Sequence, residues 1–252
     1  MKVCCLSDLH GLLPEVPECD LLILAGDYTP TSGVRKELAW FNKFFAPWLE
    51  KQTAKVIGVA GNHDSLFEKA PELVPEMNWT YLQDNRVTWN GFNFWGSPWQ
   101  PRFWDWAFNA DEEFMEHKWS LIPEDTDILI LHGPPRGYGD FSIYGQEHTG
   151  SPSLTKRIEE IKPQLVVAGH IHSSYGIYHI GETIMVNASY VDEQYQAANE
   201  PIVLTINKRE IKTESRVEVT RLKLASVCQF CGSPLIQTDG GSLFICSQGC
   251  LI

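Results

Sequence analysis

The chain has 252 residues, 43% hydrophobic and 21% charged, with a formal charge of −12. That length supports one substantial core, read here as a domain over residues 1–224, followed by an appendage over residues 225–252. The acidic balance excludes a protein held to extended nucleic acid mainly by a basic surface, and the lack of any run of about 18 apolar residues excludes a membrane-spanning helix.

Met1 to Leu6 is too short for the apolar core of a secretory leader, and cleavage beyond it would remove Asp8 and His10, so a reducing, cytoplasmic setting is expected. Lys2–Leu6 and residues 21–25 and 55–60 are short Val, Ile and Leu runs, the pattern of strands covered on both faces. Between the second and third, residues 34–50 carry Leu38, Phe41, Phe45 and Trp48 at helical spacing. Residues 81–106 are dense in aromatics, and Asn90-Gly91 between two alternating runs predicts a tight hairpin. Residues 111–121 read as a helix and 127–131 as a strand. Residues 153–161 form a further helix, capped by Ser153, and Leu165–Ala168 is a strand. The spacing then predicts strands at 176–179, 183–187, 202–206 and 217–224. Alternating strands and helices followed by a strand-rich half predict an α/β fold, an α-β-β-α sandwich of two sheets with helices outside.

Each early strand ends at a residue able to bind metal. Asp8 and His10 follow the first strand, Asp27 the second and Asn62 the third. His132 follows the strand at 127–131, and His170 and His172 follow Leu165–Ala168. Ligands at the carboxyl ends of strands in an open α/β sheet converge on one crevice. This mixture of carboxylate, amide and imidazole donors is enough for two ions, and it suits manganese, iron or zinc better than calcium. Any one of these histidines, taken alone, reads as an ordinary hydrogen-bonded residue. His117, His148 and His179 fall in no such block and read as structural.

Taken together, Asp8-Leu9-His10, Gly26-Asp27, Gly61-Asn62-His63-Asp64, His132-Gly133 and Gly169-His170-Ile171-His172 resemble, in residues and in order, the calcineurin-like metallophosphoesterases. Gly96-Ser97-Pro98-Trp99-Gln100-Pro101, His132-Gly133-Pro134-Pro135 and Asn187-Ala188-Ser189 resemble the metallophosphoesterase-domain branch found in animals, some of whose members are cyclic-nucleotide phosphodiesterases. The likeness spans roughly residues 1–210. It implies that Asp8, His10 and His172 hold one divalent ion, that Asn62, His132 and His170 hold a second, and that Asp27 bridges them. It further implies hydrolysis of a phosphodiester or phosphomonoester by a metal-bridging hydroxide. His63 would assist the leaving oxygen, and Asp64 would orient the His63 ring through its other nitrogen.

A small nucleotide is the expected substrate, because Trp99, Phe103 and Trp104 follow a Gly-Ser-Pro loop where a base can stack, and Arg136 offers a phosphate fork. The alternatives are a nuclease, a protein phosphatase or a non-catalytic interaction scaffold. The intact set of ligands speaks against the last. Near the carboxyl end, Cys228, Cys231, Cys246 and Cys250 form two pairs, with Gly232 after the first, in the manner of a zinc ribbon. A structural zinc is expected there, together with a possible protein partner. The absence of basic residues from Ala225 onward argues against phosphate contacts by this segment.

Overall fold

In the computed structural model, residues 1–208 and 210–215 are described, together with the backbone of two short paired strands, Leu235–Gln237 and Phe244–Cys246. The expected strand at 217–224 and the side chains of Cys228, Cys231, Cys246 and Cys250 lie outside the described residues. Among the described residues no helix is long and apolar enough to cross a membrane.

The strongly apolar runs form the parallel centres of two six-stranded sheets. In the first sheet Lys2–Leu6, Leu21–Leu24, Lys55–Gly58 and Thr80–Tyr81 run parallel, and Ile202–Ile206 and Ile211–Thr213 add antiparallel strands beyond Lys2–Leu6. In the second, Phe92–Ser97, Ile128–Leu131, Leu165–Ala168 and Thr183–Asn187 are parallel, with antiparallel Asn85–Trp89 and Gly176–Ile180 at the two edges. Successive side chains on a strand point to opposite faces. Val3, Cys5, Leu21 and Ile23 therefore meet Phe94, Ile130, Leu165 and Val167 in a buried layer between the sheets. Cys4, Leu6, Leu22 and Leu24 face outward, against Phe41, Phe45, Trp48 and Leu66. On the other side Leu129, Leu131 and Val166 pack on Met115, Trp119, Leu154 and Ile158. The result is the expected α-β-β-α order.

Two helices differ in detail from the sequence reading. The helix at 34–50 is interrupted: Val34–Trp40 and Ala46–Glu50 are α-helical, and Phe41–Phe45 between them is a π turn. Pro47 has no N–H to donate into the preceding turn, and the wider π turn absorbs that loss while keeping Phe41 and Phe45 buried. The helix Pro152–Ile161 begins earlier than expected, with Ser151 as its cap, whose Oγ accepts the Leu154 N–H. Pro152 fits the first helical position, where a missing N–H costs nothing. The hairpin forms as expected, with Trp89 opposite Phe92 and both Asn90 and Gly91 at positive φ.

Candidate active site

The strand ends deliver Asp8, Asp27, Asn62, His132 and His170 to one edge of the sandwich, where the two sheets open. Four of the expected ligands, Asp8, His10, Asp27 and His170, adopt left-handed backbone with φ of 52°, 42°, 58° and 69°. Such conformations are costly for residues with a Cβ and gather where a site over-determines them. Two glycines let the backbones close in. A Cβ on Gly169 would stand 2.2 Å from Asp8 Oδ2, and one on Gly61 would stand 2.3 Å from Asp27 Oδ1.

Asp27 Oδ2 is the centre of the arrangement, 3.5 Å from His132 Nε2, 3.7 Å from His10 Nε2 and 4.0 Å from His63 Nε2. Asp27 Oδ1 accepts the His63 backbone N–H at 2.7 Å. His172 Nε2 lies 3.5 Å from Asp8 Oδ1. The outer ring nitrogens are tied down, His132 Nδ1 to the Ala25 carbonyl at 2.9 Å and His172 Nδ1 to the Asp192 carbonyl at 3.0 Å. A carbonyl can only accept, so each Nδ1 carries a proton and Nε2 is the nitrogen turned inward, where His132 Nε2 meets Asn62 Oδ1 at 2.8 Å. Asp8 is steadied by the His170 N–H and by Ser189 Oγ at 2.7 Å. Asn187 Nδ2 donates to the Ile171 carbonyl at 2.9 Å, fixing the residue between His170 and His172. The Asn187-Ala188-Ser189 motif is thus a brace for the ligands.

Charge and burial oppose each other here. Burial pushes the Asp27 carboxyl up, yet the His132, His63 and His10 imidazoles outweigh it and hold the group well below the usual carboxylate range. Burial lowers His170 to about 3 and His10 to about 4. Burial also lowers His132 and His172, but the carboxylates of Asp27 and Asp8 respectively carry them to about 9. His10 Nε2 is buried with no hydrogen-bond partner. Three groups bring their donor atoms within 4.8 Å of one another: Asp8, His10 and His172; His10, Asp27 and His63; and Asp27, His132 and His170. A buried orphan nitrogen amid clustered carboxylates and imidazoles fits divalent metal, which would satisfy it.

Above this floor opens a cleft of about 710 Å³, lined by Asp27, Asn62, His63, His170 and His172 at its base and by Arg102, Phe103, Trp104, Trp106, Tyr144 and Tyr195 along its walls. Phe103 and Trp104 are among the lining residues. Trp99 does not line the cleft: its Nε1 donates to Asp84 Oδ2 at 2.9 Å, and its ring packs against Phe108, Phe114 and Lys118. Arg136 is also elsewhere, its guanidinium donating to the His148 carbonyl at 2.7 Å, and Arg102 is the only Arg or Lys lining the cleft among the described residues. Asp64 departs from its expected part as well. Its carboxylate is buried and accepts the backbone N–H groups of Asp27, Gly61, Tyr28 and Thr29, so it holds the Asp27 loop against the Gly61 turn and makes no hydrogen bond to His63. Burial, helped by the Asp27 charge, pushes it up to about 8.

Trp106 and Tyr195 are lining residues that the sequence does not single out. Trp106 is one aromatic among many, and Tyr195 lies in a polar loop, at φ 58°, with its ring 4.6 Å from that of His10 and 5.7 Å from that of His172.

Fold and site together define an α/β protein with carboxylates and imidazoles clustered so that they could hold metal. The model of the calcineurin-like phosphoesterase family matches residues 1–174, and the chain belongs to that family. It is 36% identical over 233 residues to human metallophosphoesterase domain-containing protein 1, covering 80% of this chain and 70% of that protein. It is 35% identical to the Caenorhabditis elegans UPF0046 protein K07C11.7, covering 84% and 77% of the two chains. The fold is similar to the crystal structure of TT1561 of Thermus thermophilus, with a TM-score of 0.55 at 18% identity, over 84% of this chain and 97% of that one.

Proposed function

We propose that this protein hydrolyses a phosphodiester or phosphomonoester, with a small nucleotide as the favoured substrate, at a site for two divalent ions. Asp8, His10 and His172 would hold one ion, Asn62, His132 and His170 the other, with Asp27 between them. When bound, such ions lower the pKa of a water and neutralise charge on phosphoryl oxygens during in-line displacement. The chain supplies the rest. Asp27 keeps its carboxylate ionised between the two groups of imidazoles. His63, part-exposed on the cleft floor, donates a proton to the departing oxygen. Arg102 lines the cleft and would offer a guanidinium to phosphate oxygens, and the aromatic wall offers faces for stacking. A cleft of about 710 Å³ is of the size that encloses a small ligand. Glu147 and Glu193 on its rim, with the overall charge of −12, weigh against a long nucleic acid.

The observation that carries this reading is the orphaned His10 Nε2 beside Asp27, in a cluster of carboxylates and imidazoles at the bottom of an open cleft. The test is a panel of bis-p-nitrophenyl phosphate, p-nitrophenyl phosphate and cyclic nucleotides with Mn²⁺ supplied. Turnover of at least one class is expected, and Asp27→Ala should reduce it by about 10³-fold or more, the equivalent of several kcal/mol of transition-state stabilisation. Metal-loaded protein inert on the whole panel, with Asp27→Ala still retaining metal, would favour a scaffold instead.

A further inference from the structure

His63 is oriented by something other than Asp64, whose oxygens are occupied by backbone N–H groups. The closest ring to it is Trp106, at 3.8 Å between centroids and 52° between planes. The His10 ring stands edge-on at 4.6 Å, Tyr195 is at 6.3 Å, and the facing carboxylate oxygen, Asp27 Oδ2, is 4.0 Å from Nε2. Backbone bonds hold Trp106 in this place. The Ala107 N–H donates to the Asn62 carbonyl at 3.2 Å, so the dipeptide Trp106–Ala107 runs beside the dipeptide Asn62–His63. Gln100 Nε2 donates to the Ala107 carbonyl at 2.7 Å, and the Phe108 N–H to Glu68 Oε1 at 2.9 Å.

From Trp106 the aromatic surface continues outward. Trp104 follows at 6.3 Å and 20°, and Phe103 stacks on Trp104 at 5.0 Å and 14°. Asn109 Nδ2 donates to the carbonyls of both Phe103 and Trp104, fixing the outer part of the strip. Phe103 and Trp104 are nevertheless 56% and 74% exposed. A latched loop that holds large flat rings in water, in line with the imidazole on the cleft floor, has the form of a stacking surface for a substrate ring.

We propose that Phe103, Trp104 and Trp106 form the leaving-group subsite, taking a flat ring borne by the departing alcohol or phenol, and that Trp106 is the positioning residue that turns His63 toward the departing oxygen. The inference rests on the phosphoesterase reading above. In the step concerned, a water oxygen bonds to phosphorus as the bond from phosphorus to the leaving oxygen breaks. The leaving oxygen takes the proton that His63 donates, and the proton released by the water restores the imidazole.

The experiment compares two esters that differ in how much their departure needs a proton, methyl phenyl phosphate and methyl 4-nitrophenyl phosphate, using the full chain with Mn²⁺. His63→Ala serves as the reference for loss of the proton donor. Trp106→Ala should lower kcat on the phenyl ester by about tenfold more than on the nitrophenyl ester. Trp106→Phe should recover most of that difference. Trp106→Leu, which keeps apolar bulk without a ring, should behave like Trp106→Ala and stands in for it if the smaller side chain prevents folding. Trp104→Ala should raise KM for both esters several-fold while the ratio of their kcat values stays as in the unaltered protein. Equal losses on the two esters after Trp106 substitution, or Trp106→Phe no better than Trp106→Leu, overturn the inference while leaving the phosphoesterase reading in place. If the unaltered protein turns over neither ester nor any member of the wider panel, that reading fails and this inference falls with it.

Discussion

In the buried ligand cluster beneath the cleft, Asp8, Asp27 and His132 are 0%, 2% and 0% exposed and sit within a few residues of parallel strand ends, whereas on the wall Trp104 is 74% exposed and lies in a loop outside both sheets. The floor is held by strand register, by glycines that remove the atoms that would keep ligands apart, and by the buried side chains of Asp64, Asn187 and Ser189. The wall is held by side-chain latches, with Asn109, Gln100 and Glu68 each bonding to loop backbone. A site built in this way separates two tasks. The floor tolerates almost no change in shape, and the wall can be altered without disturbing the metal ligands.

Substitutions at four positions can break or sharpen that contrast. The largest effect is expected from Gly61→Ala, whose Cβ would meet Asp27 Oδ1 at 2.3 Å and Asp27 N at 2.5 Å, the latter a backbone atom that cannot rotate away. It should abolish metal retention, read by elemental analysis, and lower stability by about 1–3 kcal/mol, typical of overpacking. Asp64→Ala comes next. It leaves the N–H groups of Asp27, Tyr28, Thr29 and Gly61 without their acceptor, and a stability loss of about 2 kcal/mol with metal still bound is expected in urea unfolding, with Asp64→Asn intermediate. A loss below about 0.5 kcal/mol would mean that the Asp27 loop holds itself and that the floor is less tightly specified than argued.

Asn109→Ala acts on the wall alone. Removing its bonds to Phe103 and Trp104 should raise KM by about tenfold, near 1.4 kcal/mol, with bound metal unchanged. Loss of metal in this variant would show that the two regions are coupled after all. The smallest effect is expected from Trp99→Phe, which removes the bond to Asp84 and should cost about 1 kcal/mol of stability with KM within about twofold of the parent. A several-fold change in KM there would return Trp99 to the substrate path.

The sequence was most legible where the chain is locally patterned. Leu21–Leu24, Ile128–Leu131 and Leu165–Ala168 are buried at every position, as continuous apolar runs require, and Asp27, His132 and His170 follow them within a few residues. It was least legible among the aromatics. Trp99 and Trp106 share the same composition-rich segment, yet one is drawn to Asp84 beneath helix Glu112–Ser120 and the other to His63. The two arginines behave alike: Arg136 follows His132 closely in sequence but turns to His148, and Arg102 enters the cleft from a loop whose destination no local pattern records.

What the sequence by itself determined, then, is the order of the main apolar strands and longer helices and the arrival of Asp8, Asp27, Asn62, His132 and His170 at strand ends, because apolar periodicity and strand termini are properties of a few consecutive residues. Tertiary structure alone decided which ring lies beside His63, which arginine lines the cleft, and what Asp64 binds. Those outcomes depend on contacts between residues far apart in the chain, such as the Ala107 N–H on the Asn62 carbonyl and the Tyr28 N–H on Asp64, and a hydrogen bond of that kind exists only once the sheets have brought the loops together.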